Sequence, residues 1–195
     1  MQKVLCLMTA ALMSSVTLAE ESKLYFSGNF GSATFDQGVT PVTASYDDTD
    51  SSYRLGLGYR LTDRFSVEAA YFDGGEQTLS GSNGQTFTYE GTTYQFLTTA
   101  TFTGTIDGFI VSGLYDIAQF NEGKGAVYLR GDLYSYESGF TVTTSSGTVT
   151  VSEDDTAGGF GVGTEYRLAE SISVRLEYNQ SGDFDAIYGG MVLDL

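Results

Sequence analysis

The sequence contains no histidine and no tryptophan, and it has only one cysteine, Cys6, and one proline, Pro41. Without histidine the chain lacks both the usual general base at neutral pH and the commonest metal ligand. Nucleophile systems that pair serine or cysteine with histidine are therefore excluded. We predict that the protein is not an enzyme and that it has no catalytic residues, no metal site and no cofactor.

Basic residues are also scarce. Nine lysines and arginines stand against 25 aspartates and glutamates, which gives a net charge of −16. Binding to nucleic acids relies on basic side chains that neutralise phosphates. We therefore expect no nucleic-acid partner.

Only the N-terminal segment is continuously apolar. Lys3 supplies a positive start, an apolar run follows, and residues 17–19 form a cleavage site, which predicts a signal peptide at residues 1–19. The run is too short for a membrane-spanning helix, and an N-terminal anchor or a buried helix is the alternative. Cleavage would remove Cys6 and leave eight basic and 25 acidic residues, a net charge of −17, in one domain at residues 20–195.

Glycine and aromatic residues are abundant, with 25 glycines, 14 tyrosines and 13 phenylalanines. The clearest pattern lies at residues 158–178, where two runs of alternating apolar and polar residues flank a turn at residues 168–171. In the first run Phe160 and Val162 share one face, and Glu165 lies on the other. This period of two is typical of a β-strand with one apolar and one polar face.

The same alternation recurs along the chain and predicts eight strands. They lie near residues 23–35, 53–61, 65–71, 105–115, 127–134, 158–167, 172–178 and 187–195. Residues 36–50 and 72–103 are predicted as loops, the second with a short extra strand at residues 85–89. The fourth strand is ambiguous, and we predict an outward face with Phe109, Val111 and Tyr115 and an inward face with Ile110, Ser112 and Leu114.

The distribution of charge over the strand faces distinguishes two architectures. A soluble sandwich buries its apolar faces, whereas a membrane barrel turns them to lipid, with polar faces in the lumen and aromatic residues at the interfaces. Here arginine and glutamate share the polar faces, and the apolar faces contain tyrosine. Short and long connections also alternate. We predict an all-β fold, an eight-stranded antiparallel up-and-down transmembrane β-barrel.

Several segments resemble the OmpA-like outer-membrane β-barrel family. The matching segments are residues 58–63, 68–73, 161–167 and 174–178. Gly190, Leu193 and Leu195 are similar to the C-terminal signal by which such proteins are recognised for insertion, although the family usually ends in phenylalanine. The resemblance implies a stand-alone, porin-family-like barrel in the outer membrane of a Gram-negative bacterium.

The strand alternation places nine charged side chains inside the barrel. They are Arg54, Arg60, Glu68, Arg130, Asp132, Glu165, Arg167, Arg175 and Glu177. An eight-stranded barrel leaves room only for side chains, and an unpaired buried ion is strongly unfavourable. We expect a network of ion pairs and hydrogen bonds that plugs the lumen, and a narrow ion path is the alternative.

Two groups of acidic residues lie outside the predicted membrane strands, one in the loop at residues 36–50 and one near the far end of a hairpin at residues 141–151 that can extend beyond the membrane. They are Asp47, Asp48 and Asp50, and Glu153, Asp154 and Asp155. Calcium prefers several oxygen ligands, but neither group has the spacing of a calcium-binding loop. We interpret both as solvated charge. Tyrosine and phenylalanine at the strand ends fit the lipid interface better than a sugar-binding site.

These observations predict an integral outer-membrane barrel with a structural or surface-interaction role and a plugged lumen. The alternative is a small porin-like channel for ions or small solutes. The lack of histidine argues against an enzyme barrel, and the inverted polarity argues against a secreted lipocalin-like barrel. The expected partners are outer-membrane lipid and lipopolysaccharide, and the barrel-assembly machinery during insertion. The protein is expected to be a monomer.

Overall fold

The structure is a computed structural model, and it describes residues 23–35, 39–182 and 184–195. The predicted signal peptide at residues 1–19 lies outside the described residues. None of the described residues forms a helix that is long and apolar enough to cross a membrane.

The described residues form twelve strands. They are β1 (Leu24–Phe35), β2 (Val39–Pro41), β3 (Ser45–Asp47), β4 (Thr49–Arg60), β5 (Phe65–Gly81), β6 (Thr86–Tyr89), β7 (Thr92–Gln95), β8 (Ala100–Phe120), β9 (Gly125–Thr144), β10 (Gly147–Ala169), β11 (Ile172–Ser181) and β12 (Phe184–Asp194). Eight are long strands that correspond to the eight predicted from the sequence. The others are short additions at one end.

The eight long strands close into a ring. Their order is β1-β4-β5-β8-β9-β10-β11-β12, and β12 pairs again with β1. At the closure Phe26 of β1 lies opposite Leu193 of β12 on one side and Leu57 of β4 on the other. All these pairs are antiparallel. The predicted eight-stranded antiparallel barrel is therefore confirmed.

The barrel has inverted polarity, as the charge pattern predicts. Leu129 and Leu176 face outward and are 50% and 56% exposed, whereas their sequence neighbours Arg130 and Arg175 are 2% and 4% exposed. The ambiguous fourth strand follows the same rule, because Phe109 is 58% exposed and Ile110 is 2% exposed. Both predicted faces are confirmed. A continuous apolar surface thus surrounds a polar interior.

Aromatic side chains mark both ends of this apolar surface. At one end Tyr71 contacts Tyr53 and Phe109, with ring centroids 6.3 and 5.6 Å apart. At the other end Phe120 stacks on Tyr166 at 6.4 Å. Such belts lie at the two lipid–water interfaces. The second end carries the short turns, which face the periplasm in barrels of this kind, so the first end is the extracellular one.

The periplasmic turns are tight and locally capped. The hydroxyl of Thr62 accepts hydrogen bonds from the backbone N–H groups of Arg64 and Phe65, at 3.2 and 3.0 Å. In the next turn Asn121 and Glu122 have positive φ angles of 51° and 57°. The β10–β11 turn spans only residues 170–171, because the strands continue into the four-residue turn that the sequence predicts.

The strands extend much further at the extracellular end than the sequence predicts. The predicted loop at residues 72–103 is wrong at its two ends, because β5 and β8 stay paired as far as Gly81 opposite Ala100. The short extra strand predicted within it at residues 85–89 is present as β6. The β9–β10 hairpin is paired to its tip, where Thr144 lies opposite Gly147. The extensions of β5 and β8 are rich in threonine, serine and glycine and show little apolar alternation. Cross-strand pairing, which a periodicity argument does not capture, determines their conformation.

A three-stranded sheet, β2-β6-β7, packs over the extracellular end of the barrel. Residues 36–50, predicted as a loop, contribute its first strand and also β3, which pairs with β5. Phe96 follows β7, is 4% exposed and packs against Leu79 and Ala100 of the barrel wall. Gly81 lies beneath the Phe96 ring, where any side chain would collide with it.

Candidate functional site: the charged lumen and the extracellular cup

The middle of the lumen holds six buried charged residues from four strands. They are Arg54 (β4), Glu68 (β5), Arg130 and Asp132 (β9), and Arg175 and Glu177 (β11), each at most 5% exposed. Every one occupies an inward position of the strand alternation. We call this group the lumen ion cluster. Its three arginines and three carboxylates balance in charge.

Arg130 lies at the centre of the lumen ion cluster. Its Nε is 2.7 Å from Asp132, and its Nη1 is 3.0 Å from Glu68 and 3.4 Å from Glu177. Its Nη2 donates a hydrogen bond to the hydroxyl of Ser112 at 2.5 Å, and that hydroxyl donates to Asp132. One guanidinium thereby links strands β5, β8 and β11 to its own strand.

The other two arginines extend the lumen ion cluster across the barrel. Arg175 contacts Glu68 at 2.9 Å and Glu165 at 3.0 Å. Arg54 pairs with Glu177, which also accepts a hydrogen bond from the hydroxyl of Tyr128 at 2.6 Å. Arginine suits these contacts because its planar group presents several donors at once.

The periplasmic mouth of the lumen has a separate ion pair group. Arg60 pairs with Asp194, and its Nη2 lies 3.5 Å from Glu165. The guanidinium of Arg60 also lies over the ring of Tyr25, 4.8 Å from its centroid. Eight of the nine predicted lumen charges thus belong to these networks. The prediction for Arg167 is wrong: its side chain is exposed at the rim, because the strand reaches the turn there.

An aromatic layer covers the lumen ion cluster on its extracellular side. Phe72, Tyr134 and Phe184 contact one another with ring centroids 5.4 to 6.5 Å apart. The hydroxyl of Tyr134 reaches down to Asp132 at 3.5 Å. The layer separates the charges from the space above.

Above the aromatic layer lies a cavity of about 1120 Å³, which we call the extracellular cup. The barrel strands β5, β8, β9 and β10 and the three-stranded sheet form most of its wall. Ten of its 24 lining residues are aromatic: Tyr46, Phe72, Phe87, Tyr89, Tyr94, Phe102, Tyr134, Tyr136, Phe140 and Phe184. Its charged lining residues are Glu90, Glu153 and Asp155. Sequence reasoning missed the cup because most of these residues fall in segments predicted as loops.

Charge is strongly separated along the barrel axis. Of the eight lysines and arginines among the described residues, three lie in the lumen ion cluster and five at the periplasmic end: Lys23, Arg60, Arg64, Lys124 and Arg167. The described extracellular part carries twelve acidic residues and, within those described ranges, neither lysine nor arginine. The extracellular surface is therefore anionic throughout.

Four of these acidic residues form a row on the outside of the wall. Asp73, Asp107, Glu137 and Asp154 are direct cross-strand neighbours on β5, β8, β9 and β10. Like charges directly opposite one another are unfavourable. The row lies beyond the outer aromatic belt, where Tyr71 donates a hydrogen bond to Asp107 at 3.1 Å. Within the described ranges, no group of three or more His, Cys, Asp or Glu is arranged to hold a metal ion.

Comparison with known families agrees with this architecture. Residues 4–192 match the family described as the outer membrane protein beta-barrel domain. The chain belongs to this family. Its location is therefore the outer membrane of a Gram-negative bacterium, and its charged interior is the lumen of an outer-membrane barrel. No curated protein matches the chain in sequence.

Solved structures of small outer-membrane barrels are similar in fold. Ail, the attachment invasion locus protein of Yersinia pestis, is 10% identical with a TM-score of 0.51, over 89% of this chain and 97% of that one. OprG from Pseudomonas aeruginosa is 11% identical with a TM-score of 0.49, over 90% and 97%. The N-terminal β-barrel domain of OprF from the same organism is 13% identical with a TM-score of 0.48, over 89% and 97%. At these identities the likeness concerns the fold alone.

Proposed function

We propose that this outer-membrane barrel is closed to solutes and has a structural and surface-interaction role at the cell surface. The observation that carries the proposal is the lumen ion cluster. Six buried charged side chains join facing walls of an eight-stranded barrel, whose interior is only wide enough for side chains to fill it. A solute path would need these ion pairs to separate.

The energetics favour a closed lumen. Removing one member of a buried ion pair leaves an uncompensated charge and costs about 3–5 kcal/mol. Arg130 and Glu68 each take part in more than one such contact, so opening the cluster disturbs several pairs together. The aromatic layer of Phe72, Tyr134 and Phe184 adds a second, apolar barrier.

The extracellular end supports the interaction part of the proposal. Four long strands and a three-stranded sheet rise above the outer aromatic belt and present an anionic surface with a large cup. A strand of about 9–11 residues is long enough to cross the membrane. The parts of these strands that extend beyond it are therefore not needed for crossing. The fold-similar Ail is named as an attachment invasion locus protein. We assign a comparable surface role to this barrel, with its own ligand.

The proposed partners follow from the surfaces. The outer apolar band would contact lipid and lipopolysaccharide, and Gly190, Leu193 and Leu195 at the C-terminal end would be read by the barrel-assembly machinery. The closed ring needs no further strand, so we propose a monomer. An anionic protein is a poor nucleic-acid ligand. We propose no enzyme activity, because the sequence lacks the histidine on which histidine-based nucleophile systems depend.

Planar-bilayer recording tests the proposal directly. Purified protein, folded as judged by a different gel mobility with and without boiling, is added to a bilayer at neutral pH. We expect no steady conductance steps. Reproducible steps that scale with the amount of folded protein would replace the closed barrel with the small porin-like channel.

A double variant serves as the control for an absence of conductance in the unaltered protein. Glu68→Ser with Arg130→Ser removes the central pair together and leaves less uncompensated charge than either change alone. We expect this variant to show conductance in the same bilayers if the lumen ion cluster is the barrier. If the correctly folded double variant shows no conductance, another part of the barrel closes the lumen.

A further inference from the structure

We propose that the extracellular cup binds an organic cation with an aromatic body and a hydrogen-bond acceptor. This inference rests on the surface-interaction role proposed above and names the chemical class of ligand. Three independent features of the cup carry it: its aromatic lining, the sign of its charges, and one buried polar group without a partner.

The aromatic lining fits a cationic ligand. Phe87 is near the centre of a connected set of rings, 5.6 Å from Tyr94, 5.4 Å from Phe96 and 6.4 Å from Phe102. Phe102 in turn stacks on Phe140 at 5.8 Å. The faces of such rings attract quaternary ammonium groups, and their area removes apolar ligand surface from water.

The charged residues give the cup its selectivity. Glu153 and Asp155 occupy alternate, inward positions of β10, and Glu90 lies in the β6–β7 turn. Neither lysine nor arginine lines the cup, and none of the ion pairs formed by the described residues involves these three carboxylates. A low-dielectric concave surface with charge of one sign concentrates ligands of the opposite sign.

Gln77 supplies a directional contact. Its side chain lines the cup and is 5% exposed. Its Oε1 accepts a hydrogen bond from the hydroxyl of Tyr46 at 3.4 Å, and its Nε2 has no partner among the described residues. A buried donor without an acceptor is unfavourable. A ligand with a carbonyl group would satisfy it.

The cup has room for such a molecule and ends blindly. Its volume of about 1120 Å³ is slightly above the range of about 300–1,000 Å³ that is usual for small-molecule sites. Its floor is the aromatic layer, with the lumen ion cluster directly beneath through the contact of Tyr134 with Asp132. The cup therefore retains a ligand at the cell surface and offers it no path inward.

Benzoylcholine is a suitable probe, because it combines an aromatic ring, an ester carbonyl and a quaternary ammonium group. Calorimetric titration uses the whole folded protein in lipid nanodiscs, with empty nanodiscs subtracted. The matched neutral probe is 3,3-dimethylbutyl benzoate, which replaces the nitrogen by carbon. We expect saturable binding of benzoylcholine, at least about tenfold tighter than the neutral ester. Equal affinities, or no binding of benzoylcholine, would overturn the proposal.

Adjacent residues provide a matched set of variants. Glu153→Gln and Asp155→Asn are each expected to weaken the affinity for benzoylcholine about three- to tenfold. Asp154 lies between them in the sequence but on the outer face of the wall, so Asp154→Asn should change the affinity less than about twofold. Gln77→Leu should weaken it about threefold through loss of the donor. If Asp154→Asn weakened binding as much as its neighbours, a diffuse surface field rather than the cup would be responsible.

The bilayer recording separates this inference from the proposed function. A barrel that conducts yet binds benzoylcholine with the expected pattern contradicts the closed lumen and leaves the cup intact. A silent barrel that fails to bind benzoylcholine contradicts the cup and leaves the closed lumen intact.

Discussion

The lumen of this barrel depends on individual residues whose partners are fixed. Glu68 is the clearest case, since one carboxylate contacts both Arg130 and Arg175. The strand alternation predicts its inward position from sequence. The sequence does not reveal which arginines it meets, because strands far apart in the chain supply them. Pairing across the lumen depends on the register and closure of the ring.

Glu68→Gln should destabilise the barrel strongly. The change removes one negative charge and leaves Arg130 and Arg175 partly uncompensated, and we expect a loss of about 3–5 kcal/mol in the free energy of unfolding. Urea unfolding in lipid vesicles, followed by the heat-dependent gel shift, measures it. Glu170→Gln, in an exposed periplasmic turn, is the control and should leave the midpoint unchanged. Equal midpoints for the two variants would mean that Glu68 is not needed for the network.

Gly58→Ala tests the packing of the lower lumen. A methyl group at Gly58 would overlap the ring of Tyr25, which is 1% exposed and lies beneath Arg60. Overpacking of this kind costs about 1–3 kcal/mol. Gly189→Ala is the matched control, because a methyl group there meets no atom within 4 Å. The same urea titration should show a lower midpoint for Gly58→Ala and an unchanged midpoint for Gly189→Ala. A lower midpoint for both variants would mean that the loss of glycine in the backbone, and not the overlap with Tyr25, is responsible.

At the scale of elements, the membrane-spanning part was predictable and the extracellular part was not. Every long strand has a stretch of alternating residues, and inward polar positions such as Ser112 are placed correctly. The extensions of β5 and β8 lack that signal, since their threonines and glycines suit strands and loops alike. Their conformation comes from neighbours in the sheet. The aromatic residues Phe87, Tyr94 and Phe102 were visible in the sequence, but only the fold brings them to one cup.

The three-stranded sheet should be separable from the barrel. Phe96→Ala removes the buried ring that packs the sheet onto Leu79 and Ala100, so we expect faster protease cleavage within residues 82–99. The barrel's gel shift should be unchanged. Limited proteolysis of protein in vesicles measures both. Leu97→Ala is the control, because Leu97 is 84% exposed. Loss of the gel shift in Phe96→Ala would mean that the sheet is required for the barrel.

The molecule as a whole has a neutral interior and an anionic exterior. The six charges of the lumen ion cluster cancel, so the net charge of −16 resides at the surfaces and the N-terminal segment. Part of this negative charge lies in one row on adjacent strands, which consists of Asp73, Asp107, Glu137 and Asp154. Repulsion between exposed like charges is screened by salt, whereas buried pairs are screened much less.

Added salt should therefore stabilise the barrel. Between about 0.01 M and about 0.1 M salt the Debye length falls from about 30 Å to about 10 Å, which weakens repulsion along the row. We expect the urea midpoint in vesicles of uncharged lipid to rise. A double variant, Asp107→Asn with Glu137→Gln, should start higher and respond less. A midpoint that falls with salt would show that attractive surface pairs dominate.

The separation of charge along the barrel axis gives the protein an electric dipole normal to the membrane. A chain that reaches the outer membrane from the periplasm must carry every acidic group of the extracellular end across the hydrocarbon layer. Each ionised side chain is unfavourable there. The periplasmic end, with Lys23, Arg64, Lys124 and Arg167, stays behind and makes no such crossing. Insertion is thus polarised, because only the acidic end of the barrel has to cross the hydrocarbon layer.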